Sequence, residues 1–323
     1  MKMKRWIAGM AFTMLACCMP ALAQDYPVKP IRLLAGFAPG GTTDTLARLI
    51  ASKLSEKLGQ PVVVENRPGA AANIAMDAVA KAPPDGYTLG YAYSSLSINP
   101  LVMDSVPFDV LRDLAPVSLI GTVRMYLIVD GALPVNSLNE YIALLKANPG
   151  KYSLAANALG GPSHLGAELF KARTGVDVPT IVYKGGAPAL VDILGGRVSG
   201  MFDTVPGVLP HVRSGKLKAL AISGSNRFPG LPNLPTYAEA GLPDLSGIRT
   251  WNGIVAPAGT PPAVIRKLNA TLHEIVHSPE VRERLTAQAV DPAGGSAADF
   301  DAFIRAEMKV WDPVAKAAKI KIN

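Results

Sequence analysis

From Ile31 onward, short apolar runs alternate with stretches of helical periodicity. Ile31 to Gly36 reads as a buried strand, after which Leu46, Leu49, Ile50, Leu54 and Leu58 recur at helical spacing until Gly59 and Pro61 stop the helix. Pro61 to Glu65 is Val-rich and reads as a second strand, followed by the turn Asn66-Arg67-Pro68-Gly69. Ala71 to Ala82 predicts a helix halted by Pro83-Pro84, and Tyr87 to Tyr93 a third strand. This β-α-β-α-β start predicts parallel strands with helices on both faces. Ser94 to Pro116 shows no regular pattern, and Val117 to Val129 reads as a long connecting strand.

A second series follows. Helices are predicted over Ser137–Ala147, with Ser137 as N-cap, and over Ser163–Arg173, Ala187–Leu194 and Leu209–Ser214. They alternate with strands at Tyr152–Ala156, Val178–Tyr183, Met201–Thr204 and Lys218–Ser223. The Pro-rich run Pro229–Pro235 reads as extended surface chain, and Trp251–Ala256 as a returning strand. The end is helical, at Pro262–His277, Pro279–Thr286 and Ala297–Ala318, with Pro313 a break or kink. Two α/β series of similar size predict two lobes around a cleft.

Composition narrows the class. Of 323 residues, 49% are hydrophobic and 18% charged, which excludes a wholly disordered chain. Lys2, Lys4 and Arg5 precede the apolar run Trp6–Met19, and Ala21-Leu22-Ala23 fits a signal peptidase site. Cleavage after Ala23 is therefore expected, leaving Gln24 first. Cys17, after Leu15-Ala16, offers lipoprotein processing as an alternative. Losing those three basic groups from 32 leaves 29 against 25 acidic ones, a net charge of +4. The basic residues form no stripe, which argues against nucleic-acid binding. Both cysteines, Cys17 and Cys18, leave with the signal, so thiolate metal sites and a Cys nucleophile are excluded.

The strand–turn–helix junctions carry the candidate chemistry. Pro39-Gly40-Gly41-Thr42-Thr43-Asp44 places glycines and hydroxyls at a helix start, where unpaired N–H groups and the helix dipole favour an anion. A tight turn with a threonine cap is the plainer reading. The loop matches neither a dinucleotide fingerprint nor a P-loop, since no lysine follows Gly41. Asn157–His164 and Tyr183–Pro188 repeat the device, and Ser94, Ser95 and Asn99 follow the third strand at its carboxyl end. His273-Glu274-Ile275-Val276-His277 matches a zinc-protease pattern. Projected on a helix, however, both histidines fall outside the apolar stripe, and no further histidine follows. Ser163 lies in a string that misses G-x-S-x-G by one position. A secreted serine or zinc hydrolase remains the rival reading.

Phe37–Asp44, Val64–Ala70, Pro83–Leu89, Tyr183–Gly186 and Leu231–Thr236 together resemble the periplasmic solute receptors of the tripartite tricarboxylate transporters, the Bug receptors. The resemblance covers essentially the whole mature chain. It implies an α/β, two-lobed periplasmic binding protein of type II (Venus flytrap), each lobe a mixed, mostly parallel sheet flanked by helices. Residues 24–124 plus 241–323 would form lobe 1 and residues 125–240 lobe 2, after a signal peptide at 1–23. It also implies capture without turnover or cofactor of a small organic acid, whether a dicarboxylate, tricarboxylate, amino acid or aromatic carboxylate. A monomer would deliver it to membrane transporter subunits or, in the alternative, to a sensor. Carried over, the site would comprise Phe37, Gly41, Thr42, Thr43 and Asp44, flanked by Ser94 and Ser95. Gly160, Gly161, Ser163 and His164 would face them, and Tyr183, Lys184, Gly185 and Asp203 would close the pocket.

Overall fold

The structure is a computed structural model that describes residues 26–39 and 42–322; the expected signal segment, Gly40 and Gly41 lie outside the described residues. Of Thr42 and residues 205–207 only the backbone is described.

The first strands and helices form where periodicity placed them. β1 (Ile31–Ala35), α1 (Thr42–Leu58) and β2 (Val62–Asn66) open the chain. Leu46, Ala47, Ile50, Ala51 and Leu54 give α1 one buried face, and Gly59 ends it in the left-handed region, at φ 67°. A 3-10 turn (Ala70–Ala72) then leads into α2 (Asn73–Ala80) and β3 (Thr88–Tyr93). The predicted helix from Ala71 thus starts later. Ala70, Ala71 and Ala72 all have positive φ, at 45°, 51° and 74°, a conformation worth about 1–2 kcal/mol of strain per residue outside glycine. Gly36 explains how closely the chain is drawn in there: a Cβ on it would lie 2.2 Å from that of Ala72.

The stretch that showed no pattern contains α3 (Ser95–Val102), a helix that keeps Pro100 inside it. β4 (Leu114–Asp130) runs for 17 residues. Beyond it come α4 (Leu138–Ala147), β5 (Leu154–Ala156), α5 (Pro162–Thr174) and β6 (Thr180–Val182). The Ser137 hydroxyl caps α4, accepting from the Glu140 amide at 3.2 Å. Next follow α6 (Gly186–Leu194), β7 (Gly200–Thr204), α7 (Val205–Arg213) and β8 (Leu217–Ile222). α7 begins four residues before the predicted Leu209. The chain closes with β9 (Arg249–Pro257), α8 (Pro262–His277), α9 (Pro279–Ala287), β10 (Val290–Pro292) and α10 (Ala297–Ala317).

The strands form one mixed sheet in the order β2-β1-β3-β9-β4-β7-β5-β6, with β10 and β8 also on β4. Parallel pairing runs through β2-β1-β3 and through β7-β5-β6. The pairs made by β4 and β9 are antiparallel. β4 changes partners along its length: Leu114–Arg124 pair with β9, and Met125–Asp130 with β7 and β8.

Side chains alternate across this sheet and feed separate cores. In β4, Met125, Leu127 and Val129 enter one cluster with Tyr141, Phe170 and Phe202, while Tyr126 and Ile128 enter another with Ile193 and Met201. The β1–β3 side has its own two clusters, one around Ile50 and Leu272 and one around Trp251 and Phe300. α10 spans both halves, burying Phe300 and Ile304 in the first and Trp311 and Ala315 in the second. The carboxyl ends of β1, β3, β5, β6 and β7 each lead into a helix start.

Candidate functional site

A cavity of about 250 Å³ lies where the junctions after β1, β3 and β5 meet. Phe37, Thr43, Ala71, Tyr93, Ser95 and Asn99 line it from the first half, and Asn157 to Pro162 from the second. None of its described lining residues is charged. A larger cleft of about 560 Å³ runs between α5 and α10, past Leu169 and Val314. Its two cations are engaged, Lys171 with Glu168 at 2.7 Å and Arg173 with Asp244 at 2.8 Å, so it offers less to a small acid.

The first wall is held by a closed polar network. Asn66 donates to the Phe37 carbonyl at 3.0 Å and to Asp44 Oδ1 at 2.7 Å. Arg48 donates to Asp44 Oδ2 at 2.9 Å and to Asn66 Oδ1 at 2.8 Å. Asp44 is buried and sits outside the cavity lining, so it fixes the loop from behind. Asn99 does the same for the strained alanines, donating to the Ala71 carbonyl at 3.0 Å and to Asn73 Oδ1 at 2.7 Å. Phe37 and Tyr93 meet edge to face at 5.2 Å and give the wall an apolar panel. Burial pushes the Tyr93 phenol up to about 12, so it stays a neutral hydrogen-bonding group. Ser94 is buried, and its hydroxyl takes the Trp251 amide at 2.8 Å; it tethers β3 to β9, while Ser95 reaches the cavity.

The second wall is the loop into α5. Gly160 adopts φ 67° and gives its amide to His164 Nδ1 at 3.1 Å. His164 is buried, and burial holds its imidazole below the ordinary histidine range. Neutral, with Nδ1 accepting, it sets the loop rather than facing the cavity. Pro162 has no N–H, and the Leu165 amide returns to the Gly161 carbonyl at 3.0 Å. The amides of Ser163 and His164 are left in the first turn of α5 with no acceptor among the described residues. The Ser163 hydroxyl donates to the Phe202 carbonyl at 2.6 Å. Ser163 and His164 are thus each bonded elsewhere and do not form a nucleophile–base pair.

The remaining expected site residues are distributed differently. Phe37, Thr43, Ser95, Gly160 and Gly161 line the cavity. Tyr183 does not: its hydroxyl donates to Asp192 at 2.7 Å. Lys184 is exposed and outside the lining. The Gly185 amide is given to the Asn157 carbonyl at 2.9 Å. Asp203 accepts from the Thr204 amide at 2.7 Å and from Asn157, a lining residue, at 3.4 Å. Gly41 and the Thr42 side chain lie outside what is described. Sequence reasoning missed Asn66, Arg48 and Ala71; Asn66 stood in one of the family strings, with nothing to mark it as the loop's anchor.

The zinc-protease pattern dissolves into a surface feature. His273 and His277 are exposed, their rings 4.2 Å apart, and His277 Nδ1 bonds the His273 carbonyl at 2.8 Å. Among the described residues no group of three or more His, Cys, Asp or Glu is placed to hold a metal ion.

Known proteins resemble this chain over nearly its whole length. The family model described as the tripartite tricarboxylate transporter family receptor matches residues 46–320. Protein BugT of Bordetella pertussis is 41% identical over 327 aligned positions, covering 100% of both chains. Among solved structures, an R. palustris protein with adipate is 38% identical at TM-score 0.82, covering 92% of this chain and 99% of that one. MatC from Rhodopseudomonas palustris, with bound malate, is 30% identical at TM-score 0.76, covering 90% and 99%.

Proposed function

This chain belongs to the tripartite tricarboxylate transporter receptor family, and on that premise we propose that it captures a small organic carboxylate in the cavity described above and presents it to membrane subunits of a transporter. The family is one of periplasmic receptors; for this chain the signal peptide at 1–23 supplies the export route. The observation that carries the reading is a cavity of about 250 Å³ between two helix starts, with polar groups at its wall and no charged side chain among the described lining. An acid group there is held by preset amides and dipoles, which lose little entropy on binding. Phe37, Tyr93, Ile98 and Leu159 supply apolar surface for its carbon frame.

The lobes we propose meet at Arg124/Met125, where β4 changes partners. Lobe 1 is then residues 24–124 plus 241–323, and lobe 2 residues 125–240. Leu245 and Ile248 extend the packing of lobe 2 a few residues further, up to β9. The protein acts as a monomer, the two walls of its cavity coming from one chain.

A thermal-shift panel tests the reading. Di- and tricarboxylates, acidic amino acids and aromatic acids are compared with neutral sugars. A ligand at about 100 times its Kd adds about 2.7 kcal/mol of stability, so at least one acid is expected to raise Tm by several degrees. Silence toward every acid together with a clear response to a sugar overturns the carboxylate assignment.

A further inference from the structure

Asp203 stands at the carboxyl end of β7, beside the cavity, with one of its two oxygens unused. Oδ1 takes the Thr204 amide and, more distantly, Asn157. Oδ2 has no hydrogen-bond partner among the described residues and faces the start of α6, 3.6 Å from where a Cβ on Gly186 would stand. Asp203 is not itself a lining residue, but two ties set its carboxylate directly behind the wall. Asn157 both bonds it and lines the wall, and Tyr93 on the opposite wall feels its charge.

Among the described residues no cation offsets that charge. Arg124 and Arg213 act on Tyr126, the register partner of Asp203 on β4, but not on Asp203 itself. On α6, Asp192 is tied to Tyr183 and Arg197. On the preceding loop, Lys184 is exposed. Burial dominates and pushes the Asp203 carboxyl up to about 6. An uncompensated carboxylate at a cavity edge rewards a hydrogen-bond donor and repels a second anion.

We propose that Asp203 selects the free end of the ligand: it accepts a hydrogen bond from an ammonium or hydroxyl group on a small acid whose carboxylate is anchored at the helix starts, and it disfavours acids whose free end is only a second ionised carboxylate. This rests on the carboxylate reading above and adds to it a rule for choosing among acids.

Calorimetric titration of the mature protein at pH 8 with succinate, L-malate and L-aspartate isolates the rule, because these differ at one carbon by H, OH or NH3+. Glutarate, 2-hydroxyglutarate and L-glutamate repeat it one carbon longer, and if only a longer or an aromatic acid binds, its plain, hydroxylated and aminated forms replace the set. The aminated or hydroxylated acid is expected to bind at least tenfold tighter than its plain parent, and Asp203→Asn to shrink that preference below threefold. Should Asp203→Asn not fold, the wild-type protein still decides. Near pH 6, titrations in two buffers of different ionisation heat should report proton release for the amino acid and proton uptake for the plain diacid. Equal affinities, a preference that survives Asp203→Asn, or the same proton sign for both ligands overturns the proposal while leaving the carboxylate reading intact. If no acid binds at all, the carboxylate reading falls and this one with it.

Discussion

Asp203 illustrates how one residue couples stability to function. Burial disfavours its charge and pushes the folded carboxyl up to about 6, above the ordinary aspartate range. The folded state therefore holds this proton more tightly than the unfolded chain. The stability that follows is fully present below the unfolded value and is lost as pH rises through the folded one. At pH 8 the ionised group costs roughly 3 kcal/mol by that linkage, less whatever solvent reaching the cavity returns. Asp203→Asn is expected to raise Tm by several degrees at pH 8 and by little at pH 4, read by calorimetric scans at both. An equal gain at both values would mean that charge is not the cause. Asp44 is the opposite case at the same scale. The family resemblance implied it as a site residue, and it lies buried behind the loop with Arg48 and Asn66. Sequence spacing marks a residue as near a helix start but cannot say which way its side chain turns.

At the scale of elements, what was legible was what repeats. α1 and α8 stand where the apolar stripes put them, because a buried helical face leaves a period of about 3.6 residues. α3 was hidden because Pro100 interrupts the expected pattern within a helix of eight residues. The left-handed run Ala70–Ala72 was hidden for another reason. Alanine favours helix locally, and only the tertiary demands of Gly36 and Asn99 overrule it. The partner change on β4 was also invisible, yet it organises the fold. There Arg124 and Arg249 stand opposite each other in register. Arg124 reaches Asp291 at 2.6 Å and the Asn226 carbonyl at 2.6 Å, while Arg249 reaches Glu307 at 2.7 Å. Each arginine thus pins its strand to a neighbouring segment. Arg124→Ala removes the charge-assisted hydrogen bonds to Asp291 and Asn226, whose exposed groups turn to water instead, and is expected to cost about 1–2 kcal/mol in urea unfolding. A change within experimental error would show that the joint does not depend on this residue.

At the scale of the whole molecule, two α/β halves share β4 and α10, and the cavity takes its walls from both. A bound acid touching both walls favours arrangements in which they approach, and closure removes water and strengthens each polar contact. The halves could be read from the sequence because each carries its own strand–glycine–helix series. The division of labour inside the cavity could not, since it depends on which amides remain free after Gly160, Gly161 and Gly185 have spent theirs within the loops. The most direct measurement is a crystal structure of the mature protein with a bound acid from the panel. The account predicts one carboxylate lying between the Thr43 end of α1 and the first turn of α5, within hydrogen-bond reach of the Ser163 and His164 amides. A carboxylate resting on a lysine or arginine side chain, or bound in the cleft between α5 and α10, would contradict it.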